Sequence, residues 1–269
     1  MKRTFSVGII GYGWVGRAYH KMFPDAVIYD EPLGIGNRKM INCCDLVLIA
    51  VPTNAKKDGS LDMSIVEDVV SWIEAPLILI KSALMPGTVD YLKEKYKKRI
   101  CVSVEMVGEG KYFIPFWKYP HPEDPSYHSF LIIGGDKRDT DEAADFIWNK
   151  VSPDINIHQV SAIEAEICKL MENFWGAMKV TFANEIFEIC DLYGANYKEV
   201  LQAWGADGRT EKMHMRVVKG KRGWKSKCWD KDCPALLKTG LLKGYKSKLI
   251  KAMLETNKEH LKKNDLPIG

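Results

Sequence analysis

The stretch FSVGIIGYGWVG, residues 5–16, decides the fold. An apolar, partly β-branched run, Phe5–Ile10, leads into a glycine-rich turn, and Trp14–Phe23 follows with helical character. Gly11, Gly13 and Gly16 fit the spacing G-x-G-x-x-G, and Asp30 lies nineteen residues after Gly11 at the end of a second strand-like run, AVIYD. Strand, glycine turn, helix and acid in that order are the context a dinucleotide site requires. Gly11 allows the tight turn, Gly13 lets the backbone approach a pyrophosphate, and Gly16 permits close packing of helix on strand. The N-terminus of the helix offers N–H groups to phosphate oxygens. An acid at Asp30 accepts from ribose hydroxyls and repels a 2′-phosphate, so the pattern favours NAD over NADP. Tyr12, Trp14 and Val15 complete the turn.

Outward from this turn, apolar strands alternate with helices to about residue 160. DLVLIAVP (45–52), APLILIKSA (75–83), ICVSVEM (100–106), FLIIGG (130–135) and INIHQV (155–160) read as strands. Ile65, Val66, Val69, Val70 and Ile73 share one face of a helix between two of them. Near-continuous apolar strands linked by helices imply an α/β fold with a parallel, doubly wound Rossmann-type sheet. The pattern then changes. Residues 161–194 contain no proline, and Ser161 with Glu164 forms a capping-box pattern. Gly194 supplies a stop. Shorter helices follow, one from Asn196 and others from Cys233. The expected organisation is a dinucleotide-binding domain over 1–158 and an all-helical domain, built on one long helix, over 159–269.

The 46% hydrophobic and 28% charged residues are ordinary for a globular chain of 269 residues. The longest apolar runs are strand-length, which excludes a membrane-spanning helix. The basic N-terminus before an apolar run resembles a signal peptide only superficially, because that run ends in the glycine turn. Seven cysteines without framework spacing read as reduced thiols of a cytoplasmic protein. The formal charge of +4 is concentrated in residues 212–231. That segment is either a solvated basic loop or an anion site, and no nucleic-acid-binding motif accompanies it.

Within it, GWKSKCWDKDC (223–233) leaves three readings of Cys228: a nucleophile, a metal ligand with Cys233 and His214, or a buried thiol. The C-x₄-C spacing lacks a second pair, so no metal is expected.

Several stretches together resemble the UDP-glucose/GDP-mannose dehydrogenase family. VPTN (51–54) is similar to its V-P-T-P, KSALMPGT (81–88) to K-S-T-x-x-x-G-T, and VEMVGEG (104–110) to P-E-F-x-x-E-G. Glu164 to Glu185 is similar to E-A-E-x-x-K-x-x-x-N with its later N-E, and GWKSKCWDKD to G-x-G-G-x-C-x-P-K-D. Order and spacing agree along the whole chain. The resemblance implies four-electron, NAD-dependent oxidation of a nucleotide-sugar primary alcohol to a carboxylate, and a homodimer formed through the 161–194 helix. It also implies a chain that ends where the family's third domain would begin, with the span from Asp30 to Val51 shortened.

Carried over position by position, Cys228 is the nucleophile, its thiolate favoured by nearby lysines. Asp232 positions or deprotonates water, Lys169 stabilises an alkoxide or transfers a proton, and Asn173 donates to an oxyanion. Glu109 assists thioester hydrolysis and Glu105 helps hold the water. Val51, Pro52, Thr53, Ser82 and Lys231 join the glycine turn in binding cofactor. Departures from the pattern are Ala83 for threonine, Lys225 and Ser226 for two glycines, Asp230 for proline and Met106 for phenylalanine. They suggest an altered sugar pocket. They also keep two alternatives open: a two-electron alcohol or hydroxyacid dehydrogenase using Lys169 and Asn173, and a non-catalytic NAD- or nucleotide-sugar-binding protein.

Overall fold

A computed structural model describes residues 5–108, 123–148, 150–151 and 155–265. The chain divides into two compact units, residues 1–54 with 61–169 and residues 55–60 with 170–269.

In the first unit seven strands form one sheet in the order β2-β1-β3-β4-β5-β6-β7. They are β1 (Val7–Ile10), β2 (Val27–Tyr29), β3 (Leu46–Ile49), β4 (Leu77–Ile80), β5 (Ile100–Val102), β6 (Phe130–Gly134) and β7 (Asn156–Val160). β1, β3 and β4 are buried at every position. This is why their sequences run apolar without alternation: both faces of the sheet are covered. On one face α3 (Ser64–Trp72) supplies Val66, Val69 and Val70, and α4 (Thr88–Tyr96) supplies Val89 and Leu92. On the other, α1 (Trp14–Met22) supplies Ala18, Tyr19 and Met22, and α5 (Lys137–Trp148) supplies Ala143 and Ile147. The sheet is therefore doubly wound, as the sequence implies.

It is not wholly parallel. β5 and β6 pair antiparallel at Val102 and Gly134, while β6 and β7 run parallel to each other. The α5 crossover ties β6 to β7 as one βαβ unit, and that unit joins the sheet edge reversed. The expected strand over 100–106 also stops early, at Val102. The chain beyond it leaves the sheet so that Glu105 can meet Lys169. A short helix that the sequence reading omits, α2 (Arg38–Asn42), starts where Asn37 Oδ1 accepts the Met40 N–H at 3.0 Å. Five residues are too few to show a helical period.

The long helix α6 (Ala162–Leu192) begins with the expected capping box. Glu164 accepts from the Ser161 N–H and hydroxyl, both at 2.7 Å. Its first turns belong to the first unit: Ala162 and Ala165 enter that core, and the unit ends at Lys169 rather than at the expected 158. The reason is chemical as well as steric. Glu166, almost fully buried, accepts the N–H groups of Gly87 at 2.6 Å and Val89 at 2.9 Å. It thereby closes the N-terminal end of α4.

The second unit holds the rest of α6, α7 (Tyr197–Trp204), α8 (Trp229–Leu242) and α9 (Lys248–Lys262). Phe174, Ala177, Trp224, Cys233 and Met253 form its main core. Residues 55–60 count with it because Asp58 pairs with Lys238 of α8 at 2.9 Å.

Burial, opposed by the backbone donors, pushes Glu166 up to about 7. The native state then holds this proton more firmly than the unfolded chain does. Stability is accordingly expected to fall as pH rises from the ordinary glutamate range to about 7. Denaturant titrations across that window should show this slope and should lose it in Glu166→Gln. Glu166→Ala, which strands two N–H groups, should cost about 2–4 kcal/mol.

Candidate functional site

Three constellations carry the candidate chemistry. The first is the glycine turn. Gly11 has φ +90°, and a Cβ there would meet the Ala50 carbonyl oxygen at 2.5 Å. A Cβ on Gly16 would lie 1.9 Å from the Gly11 oxygen. Gly13, the residue preceding α1, has nothing within 4 Å of that position, so its backbone faces open space. Two glycines are thus demanded by packing and one leaves room for a ligand, which fits a pyrophosphate approaching the end of α1. Asp30 braces the turn: its Oδ2 accepts the Tyr12 N–H at 2.7 Å and its Oδ1 the Leu33 N–H at 3.0 Å. Each oxygen keeps a lone pair for a ribose hydroxyl. Tyr12 shares its hydroxyl with His20 at 2.7 Å, and Trp14 donates to the Gly108 carbonyl at 2.8 Å. Val15 packs against the core beneath. Of the residues after β3 and β4, Thr53 is buried and Ser82 donates its hydroxyl to the Val51 carbonyl at 2.7 Å. Val51 is half-buried, and Pro52 is exposed.

The second constellation is a buried ion pair. Lys169 reaches the Glu105 carbonyl at 2.7 Å and its carboxylate at 3.2 Å, and the same carboxylate accepts the Val107 N–H at 2.9 Å. Glu105, expected to hold water, is first of all the partner of Lys169. Glu109 lies outside the described residues.

The third lies in the second unit. Asp232, 1% exposed, accepts from Asn173 Nδ2 and from Lys231 Nζ, both at 2.6 Å. Lys231, expected to bind cofactor, pairs with its neighbour Asp232. Cys228 does not sit in a basic loop, as the sequence suggests. It is the residue immediately before α8, so the helix begins at Trp229 and not at Cys233. Ser226 explains the early start: its hydroxyl accepts the Trp229 N–H at 3.0 Å and its carbonyl the Asp230 N–H at 3.1 Å. Pro234, inside the helix, makes the sequence look broken there. Trp229 packs edge-on to Trp224, whose indole donates to Thr181 at 3.0 Å. Upstream, Gly223 has φ +68°, and Asn257 pairs twice with the Trp224 backbone, at 2.8 and 3.0 Å. The cysteine is thus carried on a braced helix end, where N–H groups and the helix dipole favour an anion. Cys233 is fully buried with its sulfur toward the Asn173 carbonyl, and burial pushes its thiol up. No group of three or more His, Cys, Asp or Glu among the described residues could hold a metal.

Sequence reasoning missed Ser226 as a cap and missed Lys81, which is buried at the end of β4. A lysine closing a four-residue apolar strand is the signal that could have found the latter.

Residues 163–259 match the profile of the UDP-glucose/GDP-mannose dehydrogenase family, central domain. That stretch of the chain is similar to the family's central domain. A UDP-glucose 6-dehydrogenase of Rickettsia typhi is 27% identical over 227 residues, covering 80% of this chain and 49% of its own length. UDP-glucose 6-dehydrogenase TuaD of Bacillus subtilis is 28% identical, covering 81% and 47%. The chain therefore spans about half the length of these UDP-glucose dehydrogenases. In fold, it is similar to a UDP-glucose dehydrogenase from Pyrobaculum islandicum, with a TM-score of 0.77 and 21% identity over 96% of this chain and 68% of the other. A Mycobacterium tuberculosis 3-hydroxyisobutyrate dehydrogenase shares the fold at a TM-score of 0.70 and 14% identity, over 98% and 96%. Against the dehydrogenase pattern, Ser226 replaces a glycine. Replacing it with alanine should cost about 1 kcal/mol and with glycine only a few tenths. Tryptophan fluorescence during urea unfolding, reporting Trp224 and Trp229, would measure both.

Proposed function

We propose that this chain binds NAD⁺ and oxidises the primary alcohol of a UDP-glucose-like nucleotide sugar to a uronate through Cys228. The observation that carries this reading is a cysteine at the start of α8, one turn before a buried aspartate held by Asn173 and Lys231. Similarity to enzymes named UDP-glucose 6-dehydrogenase supports it.

Two NAD⁺ molecules, bound in turn, would supply the hydride acceptors for the two successive two-electron steps. The glycine turn holds the pyrophosphate and Asp30 the adenosine ribose. Lys169, oriented by Glu105, takes the alcohol proton as the aldehyde forms. Cys228 sulfur adds to the aldehyde carbon, and Asn173 donates to the resulting oxyanion. The second oxidation of that thiohemiacetal leaves a thioester. Asp232, with Glu109, directs water onto its carbonyl carbon, the carbon–sulfur bond breaks, and carboxylate and free thiol are released. Seven free cysteines suit the reducing cytoplasm this chemistry needs.

Two NADH per uronate are expected when the purified protein is screened against UDP- and GDP-sugars, and Cys228→Ser should form no net acid. Wild-type acid formation by Cys228→Ser would overturn the reading. One NADH per turnover, insensitive to thiol reagents, would instead establish two-electron chemistry by Lys169 and Asn173. NAD⁺ binding without turnover would establish the binding-protein alternative.

The same reading expects a homodimer. Ile167, Met171, Trp175, Phe182 and Ile189 of α6 are all exposed, an apolar stripe that a second copy would cover. Light scattering at micromolar concentration should give twice the chain mass of 30.6 kDa. Phe182→Asp should shift the protein to monomer.

A further inference from the structure

Residues 103–108 follow β5 and carry Glu105 to Lys169. At their near end the Ser103 N–H continues the sheet ladder, donating to the Ile80 carbonyl at 2.9 Å. In the middle, Lys169 meets the Glu105 carbonyl at 2.7 Å and its carboxylate at 3.2 Å, and that carboxylate also accepts the Val107 N–H at 2.9 Å. At the far end the Gly108 carbonyl accepts the indole N–H of Trp14 at 2.8 Å, from 94 positions away in the chain.

Trp14 is the first residue of α1, directly after Gly13. Its backbone N–H is therefore one of the donors that a helix start leaves without an intrahelical partner and turns toward an anion. Its side chain is 41% exposed, so burial alone does not fix a ring of this size. The bond to Gly108, itself buried, gives the ring its direction. Val107 enters the same core as Ala18 and Tyr19 of α1. That packing brings the segment against α1 but is non-directional, whereas the indole bond selects one register. One residue thus belongs to the glycine turn through its backbone and holds the segment that orients Lys169 through its side chain.

A proton acceptor must keep a fixed place relative to the cofactor it works beside. Glu105 ties Lys169 to the segment, but it does not tie the segment to the turn. We propose that Trp14 is a positioning residue: its indole pins Gly108 and so holds Glu105, and through it Lys169, in register with the glycine turn. The catalytic half of this inference rests on the reading of Lys169 as the proton acceptor, and the pin itself does not.

Trp14→Phe keeps an aromatic ring and the backbone N–H and removes the donor. Should it fail to fold, benzothienylalanine at position 14, in which sulfur replaces the indole N–H, removes the donor and keeps the shape. In the cofactor-free protein, hydrogen–deuterium exchange of the Val107 amide, read by NMR, should quicken about three- to tenfold, as expected for the loss of one hydrogen bond. The Ser103 and Ile78 amides, which donate within the sheet, should keep their wild-type rates. NAD⁺ affinity by calorimetry should stay within about twofold, because the backbone of the turn is intact, while kcat falls about three- to tenfold. Disturbance of the turn itself would instead weaken NAD⁺ binding along with the rate. Unchanged Val107 exchange in a folded variant overturns the proposal, as does a loss of NAD⁺ affinity that accounts for the whole loss of rate. Faster Val107 exchange with wild-type kcat upholds the pin and overturns its catalytic consequence. If the wild type oxidises no nucleotide sugar, the proposed function fails, and the exchange measurement still decides the pin.

Discussion

A charge removed from water must find a partner, and that constraint shapes both candidate sites. Lys169, 6% exposed, cannot sit on α6 without the carbonyl and carboxylate of Glu105. Meeting that need draws the chain after β5 out of the sheet. The same requirement governs the second unit. Asp232 is buried only because Asn173 and Lys231 both donate to it. Arg222 is buried because Asn184 accepts its Nε at 2.6 Å and Glu188 pairs with it at 2.5 Å. Leaving any one of these charges without its partner would cost roughly 3–5 kcal/mol. Each pair therefore specifies a backbone path as well as a contact.

The apolar framework is specified differently, by exclusion. Gly16 tolerates no Cβ because the Gly11 carbonyl oxygen occupies its place, and Gly11 tolerates none because of Ala50. Those contacts bring the start of α1 against β1 and β3. The open position at Gly13 follows from the same close approach, since the backbone there is left facing outward. Packing and ligand access are thus two results of one turn.

This difference explains which parts were legible in the sequence. Excluded volume leaves a compositional trace: glycines at fixed spacing, unbroken apolar strands, a capping box at Ser161. From these the seven strands, the long helix and the dinucleotide turn could be read with boundaries a few residues off. Partnered charges leave almost none, because Glu105 and Lys169, or Asn173 and Asp232, are distant in sequence. The motif resemblance singled out all four residues but not their pairings. The pairing of Lys231 with Asp232 was among those not read. The antiparallel junction of β5 with β6 was equally hidden, as β6 has the same apolar content in either direction.

The cysteine segment shows how a departure from a family pattern can be structural rather than functional. Lys225 and Ser226, in place of two glycines, suggest a side chain intruding where substrate would approach. For Ser226 the hydroxyl instead accepts the Trp229 N–H. That hydrogen bond caps the helix that starts after Cys228, where a glycine would offer no side-chain acceptor. A nucleophile on a helix end is oriented by every hydrogen bond of the helix behind it. One in a glycine loop depends on the ligand to order it. Lys225 remains exposed, and the order at Cys228 rests on its neighbour Ser226.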